Sequence, residues 1–155
     1  MGLWVVERLS AMADERIDYV TSLEGIRAEM LSGFFEGWVR KPSAETHLRM
    51  LRGSSHVVLA MVVGERGERR VVGFINAISD GFFAAQIPFL EVVPEYRGRG
   101  IGTELVGRML TMLEGFYGVA LSCDAELVPF YERRGFRAGV GMGRLNHERQ
   151  ATGAG

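Results

Sequence analysis

Residues 97–103 read RGRGIGT, three glycines set among two arginines, an isoleucine and a threonine. The mainly apolar run AAQIPFLEVV (84–93) precedes them. After them Ile101, Leu105, Met109 and Leu113 recur at steps of four, the mark of a helix face. The loop therefore sits at a helix start, where unpaired N–H groups and a partial positive charge attract anions. Gly98, Gly100 and Gly102 keep side chains off its rim, so a ligand can reach the backbone, and Arg97 and Arg99 add charge. The chemistry is phosphate binding.

Two phosphate motifs fail here. The P-loop needs Gly-Lys-Ser/Thr, and Lys41 is the only lysine of the chain. The dinucleotide motif G-x-G-x-x-G lacks its third glycine, because Thr103 or Leu105 stands at that place. The strand before the loop also comes late, after a hairpin, unlike the first strand of a Rossmann unit. What fits is Arg-x-x-Gly-x-Gly, at Arg97, Gly100 and Gly102.

Other reactive side chains are sparse. His47, His56 and His147 lack metal-ligand spacing and read as surface or edge residues, so no metal is expected. The single cysteine, Cys123, excludes an intrachain disulfide or a cysteine zinc cluster and suits a reducing compartment. It reads as a buried structural thiol. Trp38, Phe34, Phe35, Phe82 and Phe83 could line a pocket, with core packing as the default.

The elements that must position these groups follow from pattern. The chain has 155 residues, 47% of them hydrophobic, which suits one domain with a proper core. A net charge of −1 gives no bulk attraction to nucleic acid or an anionic membrane. The longest apolar run, VVLAMVV (57–63), is too short to span a bilayer, and no signal peptide is read. A soluble cytoplasmic protein is expected. Residues 16–23 read as a strand and 24–38 as partly helical. A short helix follows between a Ser43 cap and Gly53. HVVLAMVV and RVVGFINAIS form a hairpin, and 84–93 a further strand, with Pro88 marking a bulge or an unpaired position. After the helix from 98 to 115 come a strand (118–123), a helix capped by Asp124 and ended by Gly135, and a last Gly-rich strand, FRAGVGMGRL. The order β-α-α-β-β-β-α-β-α-β gives an α+β (mixed α/β) layered domain over 15–146. Residues 1–14 are an uncertain arm, and 147–155 a disordered tail.

EVVPEYRGRGIGTELV resembles the acyl-CoA pyrophosphate loop of GNAT-type N-acetyltransferases. AELVPFYERRGF resembles the family's later motif, in which a helix carries a Tyr shortly before Gly-Phe; here Tyr131 precedes Gly135-Phe136. The resemblance covers roughly Phe89 to Arg137. It implies a mixed, mostly antiparallel sheet whose two central parallel strands splay apart, with acetyl-CoA wedged between them as acyl donor. It implies that the amides of Leu90, Val92 and Val93 bond the pantetheine, that those of Arg99, Gly100, Ile101, Gly102 and Thr103 hold the pyrophosphate, and that Arg97 and Gly98 also contact the cofactor. Asp124 and Phe130 are further cofactor contacts, although the family often has Asn at the position of Asp124. The resemblance also implies that Tyr131 is the acid for the thiolate. Glu91, on the arm where acceptor and thioester should meet, is a candidate base, with a water chain as its rival. The implied reaction is direct acetyl transfer to a primary amine of a small molecule. A protein N-terminus or lysine acceptor, or a non-catalytic acyl-CoA sensor, remains as an alternative. A homodimer is possible by analogy, since dimers are common in the family.

Overall fold

The computed structural model describes residues 15–154. The expected N-terminal arm lies outside them. Five strands form one sheet in chain order: β1 (Asp18–Val20), β2 (His56–Val63), β3 (Arg69–Ser79), β4 (Ala84–Val92) and β5 (Gly118–Leu121). The first four are antiparallel neighbours, and β5 joins β4 in parallel. That parallel pair needs a crossover, which α2 (Ile101–Met112) supplies. The other helices are α1 (Ala44–Arg52) and the short α3 (Val128–Glu132). Among the described residues, no helix is long and apolar enough to cross a membrane.

The sequence pattern accounts for most of these elements. Ser43 caps α1 by accepting from the Thr46 N–H at 3.1 Å, and Gly53 ends it. β2 and β3 are apolar along their lengths because both their faces are covered. Ile101, Leu105, Val106 and Met109 of α2 are buried against one face. Gly73 on β3 lets α2 approach closely, since a Cβ there would lie 3.1 Å from both Ile101 and Leu105. The opposite face carries α1 and the loop before it, with Phe34, Phe35, Phe74 and His47 packed together.

Three expectations are corrected. Residues 24–38, expected to be partly helical, are helical only in a single 3-10 turn, Ala28–Met30. Gly33, Phe35 and Gly37 have φ of 90°, 58° and 87°, and left-handed residues at alternate positions cannot continue a right-handed helix. The last strand is absent. Residues 137–146 pair with nothing, and Gly139, Gly141 and Gly143 strip one face of the side chains a strand would pack. Asp124 precedes a 3-10 turn, Ala125–Leu127, and its side chain makes no cap hydrogen bond. Gly135, at φ 86°, does end the helical stretch.

Candidate active site

The site begins with the bulge in β4. Asn76 pairs with Phe89 and Ile78 with Gln86, so β4 spends three steps where β3 spends two. The extra residue falls at Ile87–Pro88, where proline has no N–H for a ladder. On the other side, β5 pairs with Ala84–Ile87 and stops at Leu121. From Pro88 to Val92 the β5 side of β4 has no strand beside it among the described residues. This is the splaying expected of the two arms.

Strand alternation decides which amides face that gap. The Val93 N–H donates to the Val72 carbonyl at 2.9 Å, so odd-numbered amides here point to β3. The Leu90 and Val92 amides therefore point into the gap. Val93 was expected to bond the pantetheine too, and this is corrected: its N–H is spent in the sheet. The Val92 carbonyl, on the gap side, accepts from Arg97 Nε at 2.9 Å.

The glycine loop lies at the end of this edge. Gly98 and Gly100 have φ of 75° and 78°, and a Cβ on Gly98, Gly100 or Gly102 would meet nothing within 4 Å. Gly100 is the N-cap of α2, and the Glu104 N–H returns to its carbonyl at 3.0 Å. The earlier helical amides, of Ile101, Gly102 and Thr103, point out of the helix end. The Ile101 side chain is buried as an anchor. The Arg99 guanidinium lies over the Tyr96 ring, 4.7 Å from its centre. An open rim, a helix N-terminus and left-handed turns fit a pyrophosphate.

Glu91 points to the α1 face of the sheet, opposite its ladder partner Phe74. It is half-buried, and its Oε2 accepts from the Phe35 N–H at 2.9 Å. Burial raises its carboxyl above the ordinary range; the Phe35 N–H, Arg97 and Lys41 pull it back, and Glu36 adds to the rise. Phe89, two residues earlier on β4, has its ring centre 6.0 Å from that of Trp38.

Tyr131 is only 8% exposed, its ring edge-on to Phe130 at 4.9 Å and Phe136 at 5.7 Å. Burial raises its phenol, Cys123 adds to the rise, and Arg134 opposes it. It borders a cleft of about 940 Å³ with Gln86, Leu121, Cys123 and Phe136. This cleft runs beside β5, where the last strand was expected, and not in the gap itself. Cys123 is exposed, which corrects the buried thiol. Asp124 is exposed next to it.

A family model described as the acetyltransferase (GNAT) family matches residues 23–136. That is well over half of the chain. The chain belongs to the GNAT acetyltransferase family. A crystal structure of a protein assigned as an acetyltransferase from Deinococcus radiodurans R1 is 45% identical, with a TM-score of 0.81 over 87% of this chain and 92% of that one. A histone acetyltransferase of Glycine max is 32% identical over 66% of this chain and 47% of its own length. An uncharacterized N-acetyltransferase of Gracilaria tenuistipitata var. liui is 28% identical over 64% of this chain and 55% of its own. The chain thus spans about half the length of these curated relatives.

Within this GNAT domain the structure adds residues that the sequence reading missed. Arg134 Nη2 donates to Thr103 Oγ1 at 3.0 Å, and its guanidinium lies 3.7 Å from the Phe130 ring centre. It ties the start of α2 to the helix that carries Tyr131. Thr103 and Phe130, read as cofactor contacts, are thus also partners of one arginine. Phe35 was read as core or pocket lining; its backbone N–H is the partner of Glu91. His47 was read as surface, and this is corrected: it is 1% exposed, among Phe34, Phe35 and Phe74. Burial depresses its pKa to about 4, so it is neutral. Phe82 and Phe83 are exposed at the far end of β4, away from Glu91. Among the described residues, no group of three His, Cys, Asp or Glu is placed to hold a metal ion.

Proposed function

We propose that this GNAT domain transfers an acetyl group from acetyl-CoA to a primary amine of a small molecule, by direct attack in a ternary complex. The observation that carries the proposal is the gap in β4–β5, which leaves the Leu90 and Val92 amides, on either side of Glu91, facing outward on the strand that leads to the glycine loop. Such an edge can take an extended pantetheine as it would take a strand. The cosubstrate supplies an activated thioester carbonyl. The chain supplies the rest. The outward amides of Leu90 and Val92 are donors for pantetheine and for the oxygen that gains charge. Glu91 accepts the proton that the attacking amine sheds, and its raised carboxyl is better matched to that task than an ordinary one. The N–C bond forms as the C–S bond breaks, and the departing sulfur takes a proton, for which the family resemblance names the Tyr131 hydroxyl as the donor. Its raised phenol keeps that proton at neutral pH. The single cysteine is in keeping with the cytoplasm.

Acetyl-CoA at a hundred times its Kd should stabilise the fold by about 2.7 kcal/mol, or roughly 5–10 °C in Tm. No shift would remove the proposal. The similarity to a histone acetyltransferase supports a second reading, a protein lysine as acceptor. A panel of small amines and lysine peptides, read by release of free CoA, decides between them. Binding without release across the whole panel would leave an acyl-CoA sensor.

A further inference from the structure

Phe35 is the one non-glycine residue with positive φ among the described residues, at 58°. It lies between Gly33 and Gly37, also left-handed, in a loop that crosses the face of β4. Glycine adopts this conformation freely, whereas a bulky side chain resists it. Strain of this kind persists only where its surroundings over-determine it. Here the surroundings are aromatic. The Phe35 ring, 2% exposed, lies 5.1 Å from Trp38, 4.9 Å from His47, 6.0 Å from Phe74 and 5.9 Å from Phe89, centre to centre. The result of the strain is one hydrogen bond: the Phe35 N–H reaches Glu91 Oε2 at 2.9 Å, across 56 residues of sequence.

We propose that Phe35 is a positioning residue for the reaction, a strained clamp whose ring is fixed in the aromatic nest so that its N–H holds the Glu91 carboxylate in place and ionised. This rests on the reading of Glu91 as the base. The charged and titratable groups around the carboxylate are Arg97 after β4, and Lys41 and Glu36 from the loop before α1; His47 of α1 lies behind the Phe35 ring. Arg97 and Lys41 favour the anion through space, but the Phe35 N–H is the group bonded to it. Loop and base are thereby linked.

The test replaces the Phe35 amide by an ester, using the corresponding hydroxy acid, which keeps the ring and removes the N–H. Carbon-13 NMR then follows the Glu91 carboxyl through a pH titration. Its midpoint should rise in the ester variant, and the acid limb of kcat/KM should move to higher pH by the same amount. An unchanged midpoint overturns the clamp. A second measurement uses the unaltered backbone, so it stands even if the ester chain does not fold. The Phe35 amide proton should shift with pH at the Glu91 midpoint, and should be flat in Glu91→Gln. An amide proton that ignores the Glu91 titration also overturns the proposal. If the NMR coupling is present but Glu91→Gln keeps full activity, the hydrogen bond is real but the reading of Glu91 as base falls, and with it the role of Phe35 in the reaction.

Discussion

Two loops of this molecule use one backbone device for opposite ends. In the loop before α2, Gly98 and Gly100 are left-handed and surrounded by empty space. In the loop before α1, Gly33, Phe35 and Gly37 are left-handed too, but a phenylalanine ring is packed into the turn. Left-handed residues tip successive N–H groups to one side and make a concavity for an anion. The outer loop offers that concavity to a ligand phosphate. The inner loop offers one N–H to a carboxylate of the protein itself, Glu91. A ligand site must be open to be useful, so its glycines carry no packing. A site for an internal anion must be rigid, so it is buried under aromatic rings. In the proposed reaction the two halves are thus held differently: the donor by an exposed backbone, the proposed base by a packed one.

Removing the internal anion should give the largest effect. Glu91→Gln keeps the shape and the acceptor oxygen for Phe35 but cannot take a proton. We expect kcat to fall on the order of 10³-fold, with little change in the affinity for acetyl-CoA. Steady-state kinetics with the best acceptor of the panel checks this. A variant that loses cofactor affinity instead would mean that the two loops do not divide the work as described.

The next effect is on stability. His47 sits behind Phe35 in the inner nest, and its pKa falls from 6.5 to about 4 on folding. Between those values the unfolded chain binds a proton that the folded chain refuses. Stability therefore declines as pH drops from about 6.5 towards 4, by about 3 kcal/mol in all. His47→Leu should flatten this slope, whatever its effect on stability at pH 7. Urea unfolding at pH 7 and pH 4.5 measures it, and equal slopes in the two proteins would show that His47 is not the group responsible.

The outer loop answers through the cofactor. Gly100→Val adds a branched side chain at φ 78° on the rim. Amides that bond a charged phosphate contribute about 2 kcal/mol, so acetyl-CoA affinity should weaken roughly 30-fold. The acid limb set by Glu91 should stay where it is. Calorimetric titration and a pH–rate profile separate the two, and a displaced limb would join what the comparison holds apart.

The outer loop was legible in the sequence and the inner one was not, for a physical reason. A loop that exposes its backbone must be rich in glycine, and its helix announces itself through Ile101, Leu105 and Met109. The bulge was legible as well, because Pro88 cannot continue a ladder. In contrast, Ile26, Met30 and Phe34 have helical spacing, and nothing local says that Phe35 turns left-handed. That conformation is set by Glu91 and by rings on β3, β4 and α1, far away in sequence. His47 was a nearer miss. It lies one residue before Leu48 and four before Leu51, so the buried stripe of α1 includes it. Cys123 reads as a buried structural thiol because free cysteine is usually an inert core residue, and here it is exposed just beyond the end of β5.

The smallest effect tests the difference between the loops most directly, because it applies one substitution to both. Alanine at Gly33 or at Gly100 meets the same backbone penalty, about 1 kcal/mol, since φ is 90° at one and 78° at the other. The surroundings differ. A Cβ at Gly33 would lie 3.3 Å from Val93 Cγ1 and 3.2 Å from Arg70 Nη2, whereas at Gly100 nothing lies within 4 Å. Val93 is buried, with its backbone bonded to β3, so it yields less readily than the flexible end of Arg70. Gly33→Ala should therefore cost roughly 1 kcal/mol more than Gly100→Ala in urea unfolding without ligand, the increment of a small overpacking strain. Because Val93 follows the Glu91 arm by two residues, the same crowding presses on the base. Gly33→Ala should lower kcat while leaving acetyl-CoA affinity intact, and Gly100→Ala should do the reverse. Equal losses of stability, or a shared kinetic signature, would mean that the inner loop is no more tightly packed in function than the outer one.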